Sequence, residues 1–408
     1  MNCRHCSSEL KKKFLDLDFS PPSNAYLTKE DLSKPEMHYP LRVLICDECK
    51  LVQTEDYTDK HLLFSSDYAY FSSTSTSWLK HAETFVNKSI DRFSLSNSSF
   101  VVEVASNDGY LLRNFVKNNI PCLGIEPTVS TAEISKSLGI PTLLEFLSEN
   151  VALELATKGT KADLIIGNNV YAHVPNINDF TKSLKILLKP KGVISLEFPH
   201  LLNLVKYSQF DTIYHEHFSY LSLRSVDTIF RSVGLKVFDV EELETHGGSL
   251  RVYGTHLEND IEISSNVKNV LQKEIDFKLF DDKTIEDLGD KVDKIKYDFL
   301  SFLLEQKGKG KKVIGYGAPA KANTLINFFG IKSDLVPFVC DASKSKQNKF
   351  LPGSHIPVYH PDRIMDTKPD YIIIFPWNLQ MEIESLLQYT KEWGCKLIVL
   401  LPEFRELT

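Results

Sequence analysis

Four cysteines fall in two short pairs, Cys3/Cys6 and Cys46/Cys49. Each C-x-x-C puts two thiolates on one tight turn, near enough to share a tetrahedral ion. Two such turns close a four-thiolate shell with no position left open for chemistry. The pattern predicts a structural zinc. A redox reading of C-x-x-C wants a βαβ setting, and residues 1–60 do not offer one. They read as strand-poor and rich in turn formers such as Pro21-Pro22-Ser23-Asn24. Thirty-nine residues separate Cys6 from Cys46, so the intervening segment should carry structure of its own. His5 lies between the first pair but is not needed as a ligand. Cys122, Cys340 and Cys395 sit among apolar neighbours and read as core thiols.

The densest polar string is F-D-T-I-Y-H-E-H-F-S-Y at 210–220, with Tyr214, His215, Glu216, His217 and Tyr220 close together. Histidine, carboxylate and phenol together can remove a proton from carbon and stabilise the enolate that results. H-x-H is also a metal-ligand spacing, but a further ligand is not evident. The plainer reading is a set of hydrogen-bonding groups at a seam between domains. His200 lies upstream, and T-H-G-G-S-L-R at 245–251 follows with His246 and Arg251. Its glycines let backbone approach a ligand, and Arg251 can pair with a phosphate.

A third pattern suits a cofactor. V-V-E-V-A-S-N-D-G-Y-L-L at 101–112 runs from a buried strand through a small-residue turn into a helix. Glu103 can accept from a ligand amine. Ser106, Asn107, Gly109, Tyr110 and Leu111 form the turn and the helix start. About twenty residues on, a second strand ends at Glu126-Pro127, where a carboxylate can receive both hydroxyls of a ribose. A further strand ends at Asn168-Asn169 on the same edge. Ala105 and Asn107 stand where G-x-G-x-x-G would place its first two glycines, so the turn is not a clean dinucleotide fingerprint. The order of acidic strand end, small-residue turn, second acid and polar cluster resembles the S-adenosylmethionine methyltransferase pattern. Adenine contacts are expected around residues 144–146.

The elements that must hold these groups are legible as an alternation. β-rich runs at 100–104, 121–125, 164–166 and 193–198 alternate with helical stretches at 111–117, 132–138 and 180–188. That is the mark of a parallel sheet wrapped by helices. A helix over 75–95 leads in. Residues 260–308 read as one or two amphipathic helices, with Val267, Leu271, Ile275 and Leu279 as the apolar stripe. A second α/β unit then starts: strands at 312–316, 336–340, 371–375 and 396–401, and a helix at 320–329. Its turn G-Y-G-A-P-A-K at 315–321 opens a helix whose N–H groups suit phosphate, with Gly317 and Lys321 as the candidate contacts. The same turn admits a nicotinamide dinucleotide, which makes an NAD-dependent sugar-nucleotide oxidoreductase the rival reading.

At 408 residues the chain calls for two or three domains. Its 42% hydrophobic and 25% charged residues are those of an ordinary soluble protein. The longest apolar runs are too short for a bilayer, and the first residues lack the apolar stretch of a signal peptide. A cytoplasmic address and no membrane partner are expected. A net charge of −7 speaks against a nucleic-acid partner, and so against a zinc-containing nucleic-acid methyltransferase, the third reading.

Taken together, C-x-x-C…C-x-x-C, E-V-A-S-N-D-G-Y-L at 103–111, Y-H-E-H-F-S-Y at 214–220 and G-Y-G-A-P-A-K at 315–321 resemble the sugar C-methyltransferases that act on keto nucleotide sugars. The resemblance covers nearly the full length. It implies an α/β chain with a central Rossmann-like S-adenosylmethionine methyltransferase domain at 73–258. A zinc-binding domain at 1–72 and a Rossmann-like nucleotide-sugar-binding domain at 259–408 would flank it. It implies S-adenosylmethionine and structural zinc as cofactors, a nucleotide-linked 4-keto deoxysugar as partner, and a monomer or dimer. His217 matches the general base, and Tyr214 and Glu216 match its assistants. Tyr68 matches a tyrosine that reaches the active site, with Tyr70 its rival on the substrate side. Asn169 and His173 would also face substrate, alongside His200, His246, Arg251, Gly317 and Lys321.

Overall fold

The computed structural model describes residues 1–55 and 71–407. Its N-terminal unit is a sheet, not the strand-poor segment expected. β1 (Lys12–Ser20), β2 (Tyr39–Ile45) and β3 (Val52–Thr54) pair antiparallel. Leu15 and Leu17 point inward while Asp18 is exposed. Two register shifts in β1 break the strict alternation that would have announced the strand.

The central unit opens with α1 (Thr76–Phe93), whose N-cap Ser75 accepts from the Trp78 amide. Then come β4 (Val101–Val104), α2 (Leu112–Lys117), β5 (Cys122–Ile125), α3 (Val129–Ser137), β6 (Thr142–Leu143) and α4 (Glu149–Thr157). They are followed by β7 (Ala162–Asn168), α5 (Ile177–Leu187), β8 (Leu188–Pro199) and α6 (Leu201–Lys206). β9 (Ser219–Tyr220), α7 (Leu223–Ser232), β10 (Leu235–Leu243) and β11 (Ser249–His256) complete it. Among the described residues the sheet order is β10-β11-β8-β7-β4-β5-β6, with β4 to β8 parallel and β11 antiparallel to both neighbours. All four residues of β4 are buried, as a parallel strand covered on both faces requires. The chain winds from β4 to β5 and β6 on one side, then returns to β7 and β8 on the other. The strand order therefore reverses between β4 and β7, and the crevice beyond their carboxyl ends is where such sheets take ligands.

β9 leaves this unit. Its Tyr220 and Ser219 pair with Val52 and Gln53 of β3, so the polar string at 214–220 ends as a strand of the N-terminal sheet.

The C-terminal stretch starts with α8 (Ser265–Asp276) and α9 (Asp282–Gly308). The expected single stripe is corrected here. α8 buries Val267, Val270 and Glu274, Ile275 is 61% exposed, and Leu279 is buried only after the helix has ended. A strict four-residue spacing creeps around a 3.6-residue turn and cannot stay on one face. β12 (Val313–Tyr316), α10 (Ala320–Phe329), β13 (Val339–Cys340), β14 (Val358–Tyr359), α11 (Arg363–Thr367), β15 (Tyr371–Ile374), α12 (Gln380–Leu386), β16 (Lys396–Val399) and β17 (Arg405–Leu407) follow. Their order is β14-β13-β12-β15-β16-β17, parallel except for β17. Phe14, Leu17 and Leu41 of the N-terminal sheet share one apolar core with Phe210, Ile213, Phe299 and Leu325. The three units are thus packed around a common seam. Cys122, Cys340 and Cys395 are buried core residues, as expected.

Candidate active site

The sulfur atoms of Cys3, Cys6, Cys46 and Cys49 lie within 4.8 Å of one another. Four thiols converging so closely fit a tetrahedral zinc. His5 is not part of the shell, and its Nδ1 meets Asn178 Oδ1 at 2.7 Å. The Cys46–Cys49 turn leads straight into β3, the strand on which β9 is laid.

At the switch point, the turn after β4 uses positive φ at Ala105 (56°), Asn107 (50°) and Gly109 (78°). Glycine is required at 109, since a Cβ there would lie 2.5 Å from Ile140 Cδ1. A Cβ at Gly124 would likewise lie 2.4 Å from Ser106 Oγ. Glu126 accepts the Asn107 and Thr128 amides at 2.9 Å each, which ties both strand ends together across Pro127. Tyr110 stacks on Trp78 at 6.0 Å, while Leu111 is spent in the core with Phe85 and Phe115. Among the described residues, Glu103 Oε2, Ser106 Oγ, Asp108 Oδ1 and both side-chain polar atoms of Asn168 are buried without a hydrogen-bond partner. Native proteins rarely leave such groups unpaired. Burial, then the charges of Glu126 and Asp108, push the Glu103 carboxyl well above its usual range. A ligand that brings an ammonium and several hydroxyls would satisfy these groups, and S-adenosylmethionine fits.

Across the seam from that crevice lies the polar string. His217 Nδ1 donates to the Thr212 carbonyl at 2.7 Å, which leaves Nε2 unprotonated and accepting from the Tyr214 hydroxyl at 2.9 Å. The two rings are 4.0 Å apart, and His173 sits 4.5 Å away on another side. His173 Nδ1 donates to the Glu216 carbonyl at 2.8 Å. Burial, reinforced by His173, lowers the His217 pKa well below the usual histidine value, and burial brings His173 down to about 4. Burial instead raises the Glu216 carboxyl to about 7. The string thus carries a neutral imidazole, whose lone pair accepts from Tyr214, and a carboxyl poised near neutrality.

A third group sits where the C-terminal unit meets the central one. Asn169, at φ 53°, donates to His246 Nε2 at 3.1 Å, and its Oδ1 has no partner among the described residues. Trp377 Nε1 donates to Asp211 Oδ2 at 2.7 Å, and Lys321 Nζ donates to Asn378 Oδ1 at 2.8 Å while lying 4.7 Å from the Trp377 ring. Gly317, at φ 83°, takes a turn in which a Cβ would lie 2.4 Å from Pro376.

Two expected substrate contacts are placed elsewhere. His200 donates to Glu274 Oε1 at 2.8 Å in a buried pair, and that carboxylate also takes the Leu223 and Arg224 amides at the start of α7. It is a tie between α8 and the central unit. Arg251 does not present itself to a phosphate. Its guanidinium bonds Glu197 at 2.5 Å and Glu241 at 3.2 Å, 3% exposed. Tyr68 and Tyr70 lie outside the described residues. Glu197 is the hub that residue reading missed. It accepts from Arg251, from His81 at 2.9 Å and from Thr245 Oγ1 at 2.9 Å. Against the burial that would raise its pKa, the His81 hydrogen bond and the Arg251 charge hold it at about 2. Asp211, which takes the Trp377 indole, and Asn24, which donates to Glu216, were also missed as contributors.

Family models match the chain in series: a zinc binding domain over residues 3–64, a methyltransferase domain over 78–240 and a C-methyltransferase C-terminal domain over 244–402. The chain is 32% identical over 406 residues to C-methyltransferase NovU of Streptomyces niveus, covering all of this chain and 96% of that protein. The chain belongs to the C-methyltransferase family. It is an S-adenosylmethionine-dependent enzyme with an α/β fold and a zinc-binding N-terminal domain. Two solved structures are similar over part of it. One is a SAM-dependent methyltransferase of Anabaena variabilis (17% identity, 42% of this chain, 83% of that chain, TM-score 0.34). The other is magnesium protoporphyrin IX methyltransferase of Synechocystis with bound SAH (13% identity, 44% and 83%, TM-score 0.35). No described helix is long and apolar enough to cross a membrane.

Proposed function

We propose that this C-methyltransferase acts on a nucleotide-linked 4-keto deoxysugar, with His217 as the base that removes a proton from the carbon beside the ketone. The observation that carries the reading is the fixed tautomer of His217: Nδ1 is committed to the Thr212 carbonyl, so Nε2 carries the lone pair, which accepts from the Tyr214 hydroxyl and can take a proton once that hydroxyl turns to substrate. A neutral base buried among aromatic rings suits abstraction from carbon, where proton removal rather than a strong leaving group is the difficulty. Bound S-adenosylmethionine would supply an electrophilic methyl group on its sulfonium, held by Glu103, Ser106, Asn107, Gly109, Tyr110, Glu126 and Asn168. The near-neutral Glu216 carboxyl, and the Tyr214 hydroxyl once it turns from His217 Nε2 to the substrate, are the donors for a developing enolate oxygen, and low polarity makes each more effective. Asn169, His173 and His246 would line the sugar. Lys321, with Asn378 and Trp377 behind it, is the cation for a diphosphate.

The nicotinamide reading of the C-terminal turn has less room. The Ala318 amide donates to Asp341 Oδ2 at 2.6 Å, and the Ala318 carbonyl already accepts from Tyr26 and Lys346. The acid that would meet a ribose is thus committed to the turn itself.

The test is a panel of keto nucleotide sugars incubated with enzyme and S-adenosylmethionine. A gain of one methyl group on carbon is expected for a 4-keto member, and methylation of none of them would refute the substrate class.

A further inference from the structure

We propose that Asn24, carried by the zinc module, is a positioning residue for Glu216 that occupies one carboxyl oxygen and leaves Oε2 as the one that meets substrate. The inference rests on the reading that Glu216 assists beside His217. Asn24 Nδ2 donates to Glu216 Oε1 at 3.2 Å, and Oε2 is buried with no partner among the described residues. The side chain of Glu216 has nowhere else to go, being 2% exposed. An oxygen that accepts from an amide keeps its lone pairs for that bond. When the carboxyl carries a proton, the proton therefore sits on Oε2, where it can be donated to a substrate oxygen.

Asn24 can do this because its loop is fixed from outside its own module. The Ser23 carbonyl accepts from Asn323 Nδ2 at 2.6 Å, the Tyr26 hydroxyl donates to the Ala318 carbonyl, and Leu27 pairs with Phe350. Asn323 and Ala318 flank Lys321 in the C-terminal unit. A fold that commits three contacts to one short loop has made its tip precise, as catalytic positioning requires. The titratable groups facing the Glu216 carboxyl are Tyr220 from its own string and Tyr26 from the loop; His173 meets only its backbone carbonyl. Burial raises the carboxyl, and its own backbone N–H, the Asn24 side-chain amide and the Asn24 backbone N–H oppose it. Removing the side-chain amide must raise it further.

The experiment uses full-length, zinc-loaded enzyme and reads the infrared carboxylic-acid band assigned to Glu216 by its loss in Glu216→Gln. Reading the band needs no substrate, so the titration is separate from the sugar panel; kcat is read on the sugar that the panel identifies. The wild-type band is expected to titrate near pH 7. Asn24→Ala should move the midpoint up by about one unit. It should also cut kcat by about tenfold, with S-adenosylmethionine affinity unchanged. Asn24→Asp keeps the side-chain volume should Asn24→Ala fold poorly, and should move the midpoint the same way, because it sets an anion against Oε1. An unmoved midpoint in both variants, or a moved midpoint with unchanged kcat, would overturn the proposal.

Discussion

The imidazole of His217 has one nitrogen bound to a carbonyl and the other facing a phenol, and burial keeps it neutral. Because its folded pKa is lowered, it stays unprotonated as the pH falls through the ordinary histidine range of about 6.5. The acid limb of kcat/KM should lie below that range. Glu216 acts in the opposite sense: if its acid form is the active one, kcat/KM should fall on the alkaline side near pH 7. Glu216→Gln should remove that alkaline limb and leave the acid one. A pH profile of kcat/KM with an acid limb at or above 6.5 would count against His217 as the buried base. At this scale much was legible, because Tyr214, Glu216 and His217 are adjacent in the string. Arg251 was misread as a phosphate ligand because a cation shows in the sequence but its partner does not. Glu197 lies 54 positions away and His81 on another helix, so nothing local announced the cluster that consumes it.

The turn between β4 and α2 shows what an element must do for a ligand. Three positive-φ residues in five positions fold the backbone back, and Gly109 is wedged against Ile140. Gly109→Ala should cost about 2 kcal/mol, from the left-handed backbone and the overlap together. It should also weaken S-adenosylmethionine binding, measured by calorimetry alongside denaturant melts. Unchanged affinity would mean that the turn does not hold the cofactor. The parallel strands were readable because they are short apolar runs buried on both faces. β1 was not, because two bulges scramble its period. The α8 stripe failed for a different reason: Glu274, a buried carboxylate bonded to His200 and two amides, occupies a core position no apolar pattern predicts.

On the scale of the molecule, the candidate site belongs to no single unit. Residues 214–218 come from the central unit, Tyr220 is locked into the zinc-held sheet, and Asp211 is clasped by Trp377 from the C-terminal unit. A sixty-residue module has too little core to hold its shape alone, so chelation of zinc should loosen β3 and with it β9. Hydrogen exchange should then show lost protection at Thr54, whose amide donates to the Phe218 carbonyl, and at Tyr220, and turnover should fall in parallel. Full turnover by zinc-free enzyme would contradict that linkage. The seam itself was not legible, since it depends on long-range pairing between residues such as Val52 and Tyr220. The proposed reaction turns on a proton leaving carbon for one histidine. Wild-type enzyme given a 4-keto nucleotide sugar in deuterated water should place deuterium on the carbon beside the ketone, and His217→Ala should place none while binding S-adenosylmethionine as before. Equal deuterium in both proteins would contradict it.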